Sequence, residues 1–119
     1  MKENVIKDKS LAFALRIVKM YQFLCDEKKE FVLSKQLLRS GTAVGAMIRE
    51  AEQAESKPDF IHKLSIAQKE ANETDYWIIL LFKSGYLDEK QYNSISADIL
   101  ELNKLLASII ITSKQRIEN

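Results

Sequence analysis

SKPDFIHKLSIAQKEANETDYWIILLFKSG, residues 56–85, carries a helix start, a helix interior and a helix stop in one run. Ser56 can cap, Pro58 falls in the first turn where its missing N–H costs little, and Asp59 can close a capping box. Phe60, Leu64, Ala67, Ala71, Thr74, Ile78 and Leu81 then keep an unbroken 4-3 spacing, which places them on one face of a helix packed against others. Gly85 is the expected stop, because it can adopt the left-handed conformation that ends helices. The spacing predicts a helix over 58–84.

Working upstream, Leu37, Gly41, Val44, Ile48 and Ala51 repeat the same spacing and predict a helix over 34–55. Gly41 and Gly45 each cost a helix roughly 1 kcal/mol relative to Ala. Set among Ser40, Thr42, Ala43 and Ala46, they point to close approach by a neighbouring helix; a locally flexible helix is the other reading. A first helix is expected over 10–26 with Ser10 as its N-cap. It carries two apolar stripes, Leu11, Leu15, Val18 and Cys25 on one, Phe13, Ile17, Met20 and Leu24 on the other. Asp26–Glu30 reads as a short connection.

Downstream, Asp88 and Gln91 offer a second capping box that opens a helix over 89–114. Ile95, Ile99, Leu102, Leu106, Ile109 and Ser113 form its main stripe, with Leu100, Leu105, Ala107, Ile110 and Ile111 apolar outside it. Short connections force successive helices to run antiparallel, so the chain reads as one all-α domain, an up-down four-helix bundle. Three Gly and one Pro are too few for a turn-rich β architecture. The first and last helices carry more apolar surface than one intramolecular seam needs. That surplus predicts a homo-oligomer, unless both helices sit deep in an ordinary core.

Charge narrows the function classes. The net formal charge is +1, with 11 basic and 8 acidic residues up to Lys57 and 7 and 9 beyond it. A whole-chain basic excess of the kind phosphate-binding proteins show is missing, though a local patch is compatible with this composition. The single cysteine, Cys25, cannot form an internal disulfide, the N-terminal segment lacks a signal-peptide core, and no apolar run nears the ~20 residues of a membrane span. The expected compartment is the cytoplasm.

Polar residues also fall on the inner side of the third helix, where Ile66, Glu70, Glu73, Trp77 and Leu80 share a face beside the core stripe. Carboxylates held there need partners. An antiparallel turn at Ser56 and Lys57 sets Arg39 opposite Glu73 and within a turn of Glu70, and Glu50 opposite Lys63. Arg39 suits such a place because its guanidinium grips carboxylates bidentately. The cluster Arg39, Glu70, Glu73, Glu50 and Lys63 reads as a register lock between helices rather than a reaction centre.

No catalytic, cofactor or metal set is expected. A di-iron bundle needs two Glu-x-x-His pairs, and the one histidine, His62, cannot supply them within a subunit. Cys25 lies on an apolar stripe, and Ser40 and Ser65 lack an identifiable His and acid partner. Trp77, Tyr21, Tyr76, Tyr86 and Tyr92 can stack on bases, but they serve equally as core or rim residues.

The run Gln36-Leu37-Leu38-Arg39-Ser40-Gly41-Thr42-Ala43-Val44-Gly45-Ala46-Met47-Ile48-Arg49-Glu50-Ala51 resembles the second-helix signature of the 23S rRNA intervening-sequence proteins, small bacterial four-helix bundles. Asp59-Phe60-Ile61-His62-Lys63-Leu64-Ser65-Ile66-Ala67-Gln68-Lys69-Glu70-Ala71-Asn72-Glu73-Thr74, continuing into Tyr76-Trp77, resembles their third-helix signature at the expected interval. Ala43 and Met47 depart from the pattern, since family members often carry Ser and Asn there. The resemblance implies a homopentamer of bundles around a central channel. It also implies kinship in fold with the accessory proteins of diversity-generating retroelements, which bind nucleic acid and a reverse transcriptase through a basic pentamer.

Two functions are therefore expected in competition. One is a non-enzymatic oligomeric binding or scaffold protein associated with rRNA, ribosomes or another RNA–protein complex, in which Lys19, Lys35, Arg49 and Lys69 gather into a basic strip on assembly. The other is a structural oligomer that recruits a protein partner and never touches nucleic acid.

Overall fold

The computed structural model describes residues 2–118, with side chains described over 4–116. It contains four helices, α1 (Lys2–Asp26), α2 (Leu33–Glu52), α3 (Lys57–Lys83) and α4 (Glu89–Glu118), and no strand among the described residues. The helices pack in chain order, α1 on α2, α2 on α3 and α3 on α4, and a less extensive α1–α4 seam closes the bundle. The resulting rod measures 51 × 22 × 20 Å.

The α2–α3 turn is built much as the sequence requires. Ser56 Oγ accepts the Asp59 N–H at 3.1 Å with Pro58 in the first turn, while Asp59 Oδ2 reaches past Ser56 to accept the Glu55 N–H at 3.2 Å. Asp88 and Gln91 exchange reciprocal bonds, Gln91 N–H to Asp88 Oδ1 at 2.7 Å and Asp88 N–H to Gln91 Oε1 at 2.9 Å. Gly85 has φ +87, and the Tyr86 N–H closes back on Leu81 O at 2.9 Å to finish α3.

The helix ends depart from expectation at three places. α1 begins at Lys2, so Ser10 is not its N-cap. Ser10 is buried in mid-helix, its hydroxyl donates to Lys7 O at 3.0 Å, and it packs against α2 at Gly45. α2 closes at Glu52 rather than Glu55, and α4 runs on to Glu118 past Lys114.

One core fills the bundle. Phe13, Ile17 and Leu24 from α1 meet Leu37, Val44 and Ile48, the α3 stripe Leu64–Leu81, and Ile95, Ile99, Leu102 and Leu106 from α4. Gly41 settles its two readings in favour of close approach. A Cβ there would stand 2.8 Å from Ile17 Cγ1 and 2.9 Å from Ile17 Cγ2. Of the two apolar stripes on α1, the one through Phe13 and Ile17 faces inward, while Leu11, Leu15 and Val18 stay exposed. On α4, Leu100 and Ile111 are likewise exposed, whereas Ile110 joins the core.

Candidate functional site

Glu70, Glu73 and Trp77 sit at i, i+3 and i+7 on α3, so they rise along one face toward α2. Arg39 crosses from α2 to meet them. Its Nη1 donates to Glu70 Oε1 at 3.3 Å and Oε2 at 3.2 Å, its Nη2 pairs with Glu73 Oε2, and its Nε lies 3.4 Å from Gln36 Oε1. Trp77 Nε1–H donates to the same Glu73 oxygen at 2.9 Å. The Trp77 bond first, and the Arg39 bond second, hold the Glu73 carboxyl below the usual carboxylate range, and Arg39 is raised chiefly by its bond to Glu73.

Three of the five residues expected together, Arg39, Glu70 and Glu73, therefore meet, and they do so at a place open to water. The Arg39 side chain is 48% exposed and Glu73 37%, with Glu70 at 21%. Pairs this open contribute roughly 0–1 kcal/mol each. Glu50 and Lys63 do face each other, but at 3.5 Å and near the turn, so they form a separate, looser contact. Beneath the Arg39 cluster lies a buried polar pair, Thr74 Oγ1 at 2.9 Å from Ser40 Oγ and 2.8 Å from Glu70 O. Ser40 thus serves the α2–α3 packing.

Around the α2–α3 turn, Arg49, Glu50, Gln53, Glu55, Asp59 and Lys63 line an open hollow of about 570 Å³. Its charges are of both signs. A second hollow of about 270 Å³ between α1 and α4 is lined by Arg16, Lys19, Met20, Phe23, Gln91 and Ile95. Lys19, Lys35, Arg49 and Lys69 are all exposed. They stand on three helices, and only Lys35 and Arg49 share one, about 21 Å apart along α2 at 1.5 Å per residue.

Sequence reasoning missed the α1–α4 seam. Arg16 pairs with Asp98 and donates to Ser94 Oγ at 2.7 Å, and Lys9 pairs with Glu101 at 3.1 Å. It also missed Glu30, whose carboxylate accepts the N–H groups of Val32, Leu33 and Ser34 at 2.9, 3.0 and 2.8 Å and caps α2. The findable signal was Glu30-x-x-x-Ser34, in which Ser34 Oγ returns a bond to Glu30 O at 2.9 Å.

Cys25 is half-buried with its Sγ 3.8 Å from Ser34 Oγ, and the thiol raises the neighbouring Tyr21 hydroxyl by hydrogen bonding. Among the described residues no three His, Cys, Asp or Glu side chains converge as a metal site, and His62 is exposed. No helix of the described residues is long and apolar enough to cross a membrane.

Comparison with known proteins places these features. A family model described as 23S rRNA-intervening sequence protein matches residues 2–108. A crystal structure of a protein with unknown function from the S23 ribosomal protein family of Bacteroides thetaiotaomicron is 64% identical, superposes with a TM-score of 0.92, and the match covers 92% of this chain and 98% of that one. No curated protein matches the chain.

Proposed function

The chain belongs to the 23S rRNA-intervening sequence protein family, and on that footing we propose that it is a non-enzymatic, homo-oligomeric binding or scaffold protein of the cytoplasm, associated with rRNA, ribosomes or another RNA–protein complex. The observation that carries the self-association is the pair of exposed apolar stripes, Leu11, Leu15 and Val18 on α1 and Leu100 and Ile111 on α4. Leu15, for instance, is 58% exposed. Such stripes are what a soluble protein covers with a partner.

Their placement favours a ring over a twofold dimer. Arg16 and Lys9 point from α1 to α4, and Asp98 and Glu101 point back. At 3.6 residues per turn, each apolar stripe lies roughly a third of a turn or more away from that charged seam, the α1 stripe toward α2 and the α4 stripe toward α3. Leu11 accordingly borders a groove with Thr42, Gly45 and Ala46 of α2. Contact between one protomer's α1 side and the next protomer's α4 side is heterologous, and heterologous contacts that close make rings. This agrees with the pentamer that the family resemblance implies.

The non-enzymatic part of the reading is supported by how the titratable groups are used. Arg39, Glu70 and Glu73 bond one another and Trp77, and Arg16 bonds Asp98. A ring would also repeat each exposed cation around its circumference, so a protomer charge of +1 is compatible with an RNA-facing surface.

One observation favours the purely structural reading, in which the oligomer recruits protein alone. Lys19, Lys35, Arg49 and Lys69 stand on three different helices. Retention of RNA by the purified oligomer across a salt series separates the two. RNA association predicts retention that falls steeply as salt rises. Absence of retention at low salt would remove RNA and leave the protein scaffold.

A further inference from the structure

The α1–α2 connection and the first residues of α2, Lys28-Lys29-Glu30-Phe31-Val32-Leu33-Ser34-Lys35, display bulky apolar groups on a fixed backbone. Phe31 is 52% exposed, and Val32, at 72%, is the most exposed large apolar side chain among the described residues. The segment is held outward.

The holding is done by Glu30. The residue is only 7% exposed, and its carboxylate takes the three N–H groups of Val32, Leu33 and Ser34. The Glu30 N–H itself closes on Leu24 O at 2.9 Å, and Lys29 adopts the left-handed conformation at φ 54 to make the bend. The arrangement also sorts charge. Between Lys28 and Lys35 the one carboxylate is turned inward and saturated, while Lys28, Lys29 and Lys35 are all exposed. Lys28 Nζ rests 5.9 Å from the Phe23 ring centroid, and Asp26 and Glu27 bound the patch on the α1 side.

We propose that this rigid tip binds single-stranded RNA, with Phe31 stacking on an unpaired base and Lys28, Lys29 and Lys35 taking the neighbouring phosphates. The inference rests on the RNA association proposed above and assigns its contact site. An exposed aromatic face interleaved with cations is what single strands use, since every base offers a π-face and every linkage a phosphate. Two apolar side chains are too little for a bilayer anchor. The patch spans one or two nucleotides in each protomer, and a ring repeats it, so a strand gains by engaging several tips.

The test is fluorescence anisotropy of a labelled short oligouridine with the full-length oligomer at low and raised salt. The wild type is expected to bind, Phe31→Ala to bind roughly 5- to 150-fold more weakly, and Phe31→Tyr to bind as the wild type does. Lys28→Gln, Lys29→Gln and Lys35→Gln combined should lower the log–log salt slope by about 2. Phe31 is half exposed, so its variants keep the helical signal. If the wild type binds and every tip variant binds equally well, the RNA reading stands and the tip assignment falls. If the wild type fails to bind at low salt, both fall. If Phe31→Ala instead changes only the mass by light scattering or binding to phosphatidylserine vesicles, the tip is a contact between copies or a bilayer contact, and the assignment is overturned.

Discussion

Alanine at Gly41 and alanine at Gly45 should move stability in opposite directions, although the residues lie one turn apart on α2. Either substitution gains roughly 1 kcal/mol of helix propensity, because alanine loses less backbone freedom on folding. At Gly41 the new methyl would sit 2.8 Å and 2.9 Å from the two γ carbons of Ile17 and 3.2 Å from its δ carbon. Those γ carbons branch directly from Cβ, Ile17 is fully buried, and a β-branched residue in a helix has one strongly preferred rotamer. The methyl is accommodated only by shifting α1 away from α2, an overpacking cost of about 1–3 kcal/mol. At Gly45 the nearest atoms are Ser10 O and Oγ at 3.5 Å, an ordinary contact, so the propensity gain survives.

The expected net is a loss of about 1 kcal/mol for Gly41→Ala and a gain of about 0.5–1 kcal/mol for Gly45→Ala. For a chain of 119 residues, 1 kcal/mol corresponds to a midpoint shift of roughly 4 °C. Urea unfolding followed by far-UV circular dichroism reads the difference, at one fixed protomer concentration because assembly adds to apparent stability. Equal stability for the two variants, or a more stable Gly41→Ala, would refute the close-packed α1–α2 seam.

Glu30→Ala removes the acceptor of three N–H groups at the start of α2, those of the N-cap Val32 and of Leu33 and Ser34, and should cost about 1–2 kcal/mol in the same assay, with a Ser34→Ala control costing less. Glu73→Gln should cost under about 1 kcal/mol, since the pair is open to water. Because Glu73 is lowered on folding, its contribution is present above the ordinary carboxylate range and fades as pH falls through its lowered value; the wild-type and variant unfolding curves should converge on acidification. Ile99→Ala and Leu102→Ala delete fully buried core groups of α4 and should each cost about 2–5 kcal/mol by urea unfolding.

Much of the fold was legible because α2, α3 and the turn between them are locally coded. Ser56, Pro58 and Asp59 fix where one helix ends and the next begins, and that single turn sets the register that brings Arg39 to Glu73. The α1–α4 pairs were not legible for the same physical reason. No turn joins those helices, so nothing local sets Arg16 against Asp98 or Lys9 against Glu101. The start of α1 was misplaced because Ser10 looks like a cap, while its hydroxyl bonds within the helix to Lys7 O. Nor does periodicity choose between the two stripes of α1. Phe13 and Ile17 win the interior because Gly41 leaves room for Ile17, a tertiary fact.

The self-assembly proposed for the bundle is tested most directly by the solution mass of the purified chain by light scattering, alongside Leu15→Glu and Leu100→Glu variants. A closed pentamer predicts about five times 13.7 kDa for the wild type and a folded species near 13.7 kDa for the variants, because both substitutions fall on exposed positions. A wild-type mass of 13.7 kDa at every concentration would contradict it.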